Sequence, residues 1–501
     1  MRRGGWLLTA LLTLSIAGIG WWTTRNTLRI EPFDANRFAQ MSQSEQVEWL
    51  VKQSLARSRA SRLISEWWAR WFPSQRDMRT PLSGMQIRML AEACMKHDLP
   101  HLLNRLAPYG ENEKARELAR LYRALWHAQE GNPQRAIGEI ESIRVRELRA
   151  LALAQMGAVH QQAGETELAR QRFDAALRLL KQSALPTHPE IYIETLRTLV
   201  EQTPLRESPE QVADLVRGLS VPYHTIAAQQ LGRLYLKMNE AQRLPAFAKA
   251  LPPKARNALK PCLAIALIQQ GKAQAGYELA LRTPYQEAWL VDAEILRALH
   301  KAGETPLAEQ LFVRRLATSI VMTDLQQMAS SRLGGRRLDP NDNLYIWMMT
   351  QASCEAGLQE EVSQLLLRTS SREARVLAFL EFAAARYRAG DEDGARHYVD
   401  LAIAEFQQTG SDIPLLHPIS SLHDAGARSL SSRFLKQARE HALQVKVPWL
   451  RSGHLSRIAL AYAYNGEYEE AVRTALMLPE LEQQRDELIR IARVLAEMSA
   501  P

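Results

Sequence analysis

Apolar positions recur along this chain at the spacing of one helix face, and short polar turns interrupt the pattern at near-regular intervals. In HQQAGETELARQRFDAAL, from His160 to Leu177, a Gly-acid turn leads into a stripe of Ala169, Phe173 and Ala176. The same arrangement returns as YRAGDEDGARHYVDLAI and YNGEYEEAVRTALML. Turn markers between amphipathic segments stand at His97-Asp98, Gly131-Asn132, Gly164-Glu165, Asn239-Glu240, Gly271-Lys272, Gly303-Glu304, Gly357, Gly390-Asp391, Gly426 and Gly466-Glu467. Successive gaps include 34, 33, 32, 33, 36 and 40 residues, a recurrence that predicts stacked helix-turn-helix units and an all-α fold. Gly164 and Asn239 lie 75 residues apart, about two units, with a weaker connection near EQTPLRESPE between them.

Each repeated residue has a physical reason. Gly accepts the positive φ of a helix-ending turn, and the acid after it favours the N-terminus of the next helix. Ala169 and Ala176 let two helices approach closely, and Phe173 fills the space between neighbouring units. Burying one Phe or Leu contributes roughly 1.5 to 3 kcal/mol, too little for a single helix pair to offset the entropy of ordering its residues. The pairs must stack.

Leu153, Met156, Gly157, His160, Ala169, Phe173 and Ala176 fall at the spacing where the tetratricopeptide repeat carries Trp, Leu, Gly, Tyr, Ala, Phe and Ala. Leu455, Ile458, Ala459, Tyr462, Ala471 and Ala475 fit a second copy, and Phe379, Phe382, Ala383 and Ala395 a third, with Val399 in place of the aromatic. The chain thus resembles that family over most of residues 82 to 500. The resemblance implies an α-solenoid, a right-handed superhelix with one concave groove, and a protein or peptide partner. It also implies that the ends of the first helices line the groove, which here selects Gln161, Gln162, His300, Lys301, Tyr387, Arg388 and Tyr464. That polar, slightly basic row suits an acidic or carboxylate-bearing peptide; the bland alternative is solvated helix ends.

The N-terminal region follows a different pattern. After a short tail over 1–5, an uncharged apolar run from Trp6 to Trp22 is long enough for a short membrane span, with Trp at both ends to suit the headgroup interfaces. We expect a signal-anchor helix over 6–22 with the bulk of the chain extracytoplasmic; the competing reading is a removable signal peptide cut at Gly18-Ile19-Gly20. A linker and a basic, Trp-rich helix occupy 23–80, the helix running from an N-cap at Ser44 to a stop at Pro73. Its apolar positions 64, 67, 68 and 71 share one face, as a helix covering the open end of a stack would require. Trp67, Trp68, Trp71 and Arg70, with Arg57, Arg59 and Arg62 nearby, are alternatively a membrane or partner contact. The repeats then divide into a first part over 81–329, a Gly/Pro-rich connector over 330–343, and a second part over 344–501.

Composition narrows the function class. Formal net charge is +8 over 501 residues, and no blocks of Lys or Arg interleaved with aromatics offer a nucleic-acid surface. Cys94, Cys262 and Cys354 are isolated in apolar helical contexts, the setting of buried thiols. His97 and His101 have HxxxH spacing, but Pro100 breaks the helix and the Glu of a zinc protease is missing. His417, His423 and Asp424 lie in LLHPISSLHDAG, where Pro418 and two serines suggest a loop leading into a helix. No nucleophile elbow, metal cluster or cofactor loop is legible. The expectation is a membrane-anchored interaction scaffold of an envelope complex, not an enzyme and without a cofactor. The alternatives are the accessory superhelix of a peptidoglycan-acting enzyme and an exported ligand-recognition protein.

Overall fold

The computed structural model describes residues 30–71, 82–182, 185–283, 291–315, 340–358, 371–409 and 413–498, with the backbone alone for 61–71, 204 and 340–344. The expected signal-anchor over 6–22, the tail over 1–5 and residues 330–339 of the connector lie outside them. The described residues are helical and contain no strand, only an isolated bridge between Leu82 and Gly110. No described helix is long and apolar enough to cross a membrane.

After a short helix over Ala35–Gln40 come α1 (Gln43–Trp71) and α2 (Gly84–Lys96), and the chain continues as helix pairs. These are α3 and α4 (Glu113–Gln129, Pro133–Glu141), α5 and α6 (Arg146–Gln162, Thr166–Lys181), α7 and α8 (Pro189–Gln202, Pro209–Arg217), and α9 and α10 (Val221–Lys237, Leu244–Ala250). Then come α11 and α12 (Lys260–Gln269, Ala273–Leu281), and α13 (Asp292–Lys301) with the helix over 305–315. After α14 (Pro340–Glu355) follow α15 and α16 (Arg372–Arg388, Glu392–Phe406), α17 and α18 (Leu416–Asp424, Arg428–Gln444), α19 and α20 (Pro448–Tyr464, Tyr468–Ala475), and α21 (Leu481–Met498).

The turn markers are where the backbone goes left-handed. Positive φ occurs among the described residues at Asp98, Gly131, Gly164, Asn239, Gly271, Gly303, Gly357, Gly390, Gly426 and Gly466, one residue from each marker. At Gly164 its own N–H reaches Gln161 O (3.1 Å) and the Glu165 N–H reaches His160 O (2.8 Å), the paired bonds that close a helix C-terminus. The same two bonds form at Asp98, Gly131, Asn239, Gly271, Gly303, Gly357, Gly390 and Gly426. Proline sits in the first turn of many of the following helices, as at Pro189, Pro209 and Pro448, where its missing N–H costs nothing. The weak connection near EQTPLRESPE is a short 3-10 turn over Pro204–Glu207 between α7 and α8. Asn239, at φ 58°, tests the turn: Asn239→Ala is expected to lose about 1 kcal/mol in urea unfolding and Asn239→Gly to lose nothing, since Ala keeps the Cβ that is strained at positive φ but lacks the short polar side chain that makes Asn tolerant of it, and Gly has no Cβ.

The helices form two compact units. In the first, made by the described residues up to Arg123 and from Gly466 onward, α1 and α2 pack against α21. Val47, Leu50, Val51 and Leu55 are fully buried, as are Leu488, Ile489, Ile491 and Leu495. Arg57 Nε donates to Gln484 Oε1 (3.3 Å), Gln86 Nε2 to Asp486 Oδ1 (2.7 Å), and Lys96 Nζ to Glu497 O (3.3 Å). The apolar face at 64, 67, 68 and 71 predicts a covering role for the Trp end of α1; its N-terminal half packs as well, against a helix more than 400 residues away. The side chains of Trp67, Trp68, Arg70 and Trp71 lie outside the described residues. Arg57 is 4% exposed and bonded to Gln53 and Gln484, so it is a buried core residue rather than a headgroup contact. The cap and the helix start lie two residues earlier than an N-cap at Ser44 predicts, because Ser42 and Glu45 bond reciprocally and cap the helix at Gln43.

In the second unit, Ala124–Asn465, the first helices α5, α7, α9, α11, α13, α14, α15, α17 and α19 lie side by side. They run parallel: Tyr223 near the start of α9 donates to Glu190 at the start of α7 (3.1 Å), and Tyr345 of α14 to Asp292 of α13 (3.1 Å). Hairpin turns therefore share one edge, and the loops between pairs share the other. The recurrent residues are core: Ala169, Phe173 and Ala176 are buried, as are Phe379, Phe382, Ala383, Ala395 and Val399. Gly157 packs so tightly on Phe173 that a Cβ there would lie 2.7 Å from the ring. The unit is helical-repeat in character.

Candidate functional site

The residues expected to line a groove all sit in the last turn of a first helix, just before the left-handed turn that lets the chain reverse. Gln161 and Gln162 close α5, His300 and Lys301 close α13, Tyr387 and Arg388 close α15, and Tyr464 closes α19. Gln161, Gln162, His300, Lys301 and Arg388 are exposed, whereas Tyr387 and Tyr464 are half-buried. The structure brings two of these positions into built surroundings.

The first surrounds Lys301. Three successive hairpin ends border a half-open cavity of about 510 Å3, lined by Asn239, Ala241 and Gln242 after α9, by Ile268, Gln269 and Gln270 at the end of α11, and by Ala298, Lys301 and Ala302 at the end of α13. Repetition makes the site, because residues about 30 positions apart occupy equivalent places in consecutive pairs. Helix C-termini present partial negative charge, and Lys301 offsets it. Four side-chain amides, Asn239, Gln242, Gln269 and Gln270, provide both donors and acceptors there. The chemistry is that of hydrogen bonding to a polar segment of low charge, which is less acidic in preference than the row of polar residues alone implied.

The second surrounds Arg388 and was not found from sequence. Glu381, about two helical turns earlier on α15, is fully buried, and the Arg388 guanidinium lies 3.5 Å from its Oε1. Trp347 Nε1 of α14 donates to Glu381 Oε2 (3.1 Å). Burial pushes the Glu381 carboxyl above the usual carboxylate range, against the opposing pull of a Ser421 hydrogen bond, Arg388 and Trp347. His417 of α17 stacks on Trp347 with ring centroids 4.7 Å apart, and desolvation lowers its pKa. Farther along the same helices, Arg297 bonds Glu355 (2.5 Å) and Gln351 (2.9 Å), and Gln351 Nε2 donates to Ser421 Oγ (3.4 Å). This polar seam ties α13, α14, α15 and α17 together. One signal for it was present: Glu381 is the lone charge in LAFLEFAAA, and a carboxylate in such a run must find partners when buried.

The sites suspected of chemistry resolve into structure. His97 caps α2, Asp98 takes the left-handed turn, and His101 Nε2 lies 3.2 Å from Glu48 Oε1. His417, Pro418, His423 and Asp424 all belong to α17, so the expected loop is helical; Pro418 is tolerated because it falls in the first turn. His423 Nε2 is 3.2 Å from an Arg428 nitrogen. Among the described residues no cluster of His, Cys, Asp or Glu has metal-holding geometry. Burial pushes the thiols of Cys94 and Cys262 up to about 12, which leaves them without nucleophilic thiolate at neutral pH.

No family model matches this sequence, and no curated protein matches it. Among solved structures it aligns with Ton1535 from Thermococcus onnurineus NA1 at 15% identity and a TM-score of 0.22, over 74% of this chain and 98% of that one. It also aligns with a circular tandem repeat protein of novel repeat topology at 16% identity and a TM-score of 0.20, over 93% of this chain and 94% of that one. At such TM-scores neither alignment transfers a fold or a role.

Proposed function

We propose that this chain is a tetratricopeptide-like scaffold that binds a protein or peptide partner at the hairpin-turn edge of its second unit, anchored to a membrane by the segment over 6–22 and serving an envelope complex. The observation that carries the reading is the cavity at three consecutive hairpin ends, where Asn239, Gln270 and Lys301 converge. A scaffold of this kind recognises its partner by repetition, since each pair adds one polar station of the same geometry. The amides favour an extended peptide backbone, whose own N–H and C=O groups pair with Asn and Gln side chains.

The test uses the full chain in its native membrane. A photoactivatable group is attached at Gln270→Cys or, as a control, at the exposed Gln171→Cys on α6. The expected result is a discrete cross-linked partner from position 270 alone, with capture lowered about ten-fold or more by Lys301→Glu and Gln242→Ala together, at unchanged melting temperature. Equal cross-linking from both positions, or capture indifferent to the double substitution, removes the cavity from consideration.

A further inference from the structure

The second unit carries an exposed apolar corner on the edge opposite the hairpin turns. Leu443 in the last turn of α18 is 47% exposed, Val447 at the N-cap of α19 is 42% exposed, and Trp449 is 56% exposed. All three fall within seven residues, and the turn between the helices, closed by the Val445 N–H on Ala442 O (3.2 Å), holds them at a protruding connection. Such side chains normally face inward. Here Leu450, the next residue, is the one that packs into the core.

The charge around this corner says what covers it. Between Lys436 and Arg451 stand Lys436, Arg439, Lys446 and Arg451 against the single acid Glu440, a net +3 over the residues that flank the corner. Arg433 spends its charge on Asp400 (2.7 Å), and Arg439 lies 5.2 Å from the centre of the Tyr462 ring. Lys446, at the tip itself, and Arg451, one turn into α19, have no carboxylate partner among the described residues. We propose that this corner docks on an anionic lipid bilayer: Leu443, Val447 and Trp449 enter the headgroup boundary, and Lys446 and Arg451 pair with lipid phosphates. Trp favours that depth, aliphatic side chains gain by leaving water, and three apolar residues alone bind marginally, so the cations supply the second signal that stable docking needs. A fluid bilayer accepts protruding apolar side chains without a fixed recess, whereas an acidic protein would have to present a pocket shaped to each of them. This docking is independent of the peptide site, which lies at the other edge, and of the apolar segment over 6–22.

A nitroxide attached at Val447→Cys in a full chain carrying Cys354→Ser reports the environment directly, because Cys94 and Cys262 are buried and the half-buried Cys354 has been removed. A second label at Gln171→Cys is the control. On phosphatidylcholine vesicles containing phosphatidylglycerol, the label at 447 is expected to become accessible to oxygen and shielded from aqueous nickel, while the label at 171 stays in water. Adding Lys446→Gln and Arg451→Gln lowers the ratio of docked to undocked corner about thirty-fold, and vesicles of phosphatidylcholine alone leave it undocked. Because the readout is local, insertion of the N-terminal segment in every sample does not mask it. A label at 447 equally open to nickel on both kinds of vesicle overturns the proposal. Shielding by polyglutamate without lipid, with anionic vesicles leaving the label open, also overturns it and assigns the corner to an acidic protein.

Discussion

Arg315→Leu is expected to destabilise the second unit by about 3 to 5 kcal/mol, because it strands a buried charge. Arg315, on the helix over 305–315, is 8% exposed; its Nη2 donates to Ala280 O (2.5 Å) and Thr283 O (2.8 Å), and its Nε lies 3.4 Å from Asp292 Oδ2. Removing the guanidinium leaves two carbonyls and a fully buried carboxylate without it, and only the Tyr345 hydroxyl (3.1 Å) still serves Asp292. The loss should depend on pH in a defined sense. Burial raises the Asp292 carboxyl from an ordinary 3.8 to about 6, against the pull of Arg315 and the Tyr345 bond. Burial also raises Glu294 and Glu381. A carboxyl whose folded pKa lies above its unfolded one keeps a proton that the unfolded chain has released, so its contribution to stability falls as pH climbs from about 4 through 6. In the native protein these three groups therefore favour mildly acidic solution, opposite to the usual carboxylate. In Arg315→Leu the offset from the guanidinium is gone, and urea midpoints should differ from the native protein more at pH 8 than at pH 5. Equal differences at both would show that the two carbonyls, not Asp292, carry the penalty. Asp292→Leu with Arg315→Met should recover only the electrostatic share, since Ala280 and Thr283 remain unserved.

Deleting residues 481–501 is expected to unfold α1 and α2 while the second unit stays helical. The fully buried Leu488, Ile489, Ile491 and Leu495 of α21 face the packing of α1 and α2, and at roughly 1.5 to 3 kcal/mol for each such side chain their removal exceeds what a local segment can absorb. Hydrogen exchange read peptide by peptide should show residues 43–60 exchanging freely in the deletion and protected in the full chain. Protection retained over 43–60 would mean that α1 is held by something other than α21. The native reference is sensitive, since Gln484 and Asp486 also bond Arg57 and Gln86 across this packing.

What sequence could and could not convey divides along the range of the interactions. Left-handed turns were legible because the requirement is local: a chain that must reverse after a helix needs Gly, or Asn or Asp as at Asn239 and Asp98, and each turn marker contains a residue at positive φ. The stripe of Ala169, Phe173 and Ala176 was legible for a similar reason, as helical period alone puts those residues on one face. The pairing of Val47, Leu50 and Val51 with the last described helix was not, because apolar residues at the two ends match any other apolar stripe equally well. The cavity beside Lys301 was half legible. Its row follows from repeat phase, but that Asn239, Gln270 and Lys301 border one space depends on how closely α9, α11 and α13 approach, and Gly232 of α9 lets α11 come near: a Cβ there would stand 2.4 Å from Leu259 Cδ1 and 3.0 Å from Cys262 Sγ.

The partnership between α1 and α21 also sets a delay in biosynthesis. Some 430 residues separate Leu55 from Leu488, so at ribosomal speeds the greasy flank of α1 waits roughly 20 to 90 s for its counterpart to be translated. Throughout that interval Val47, Leu50, Val51 and Leu55 make a nascent segment that a holdase would recognise, and slowing elongation downstream should lengthen its dependence on one.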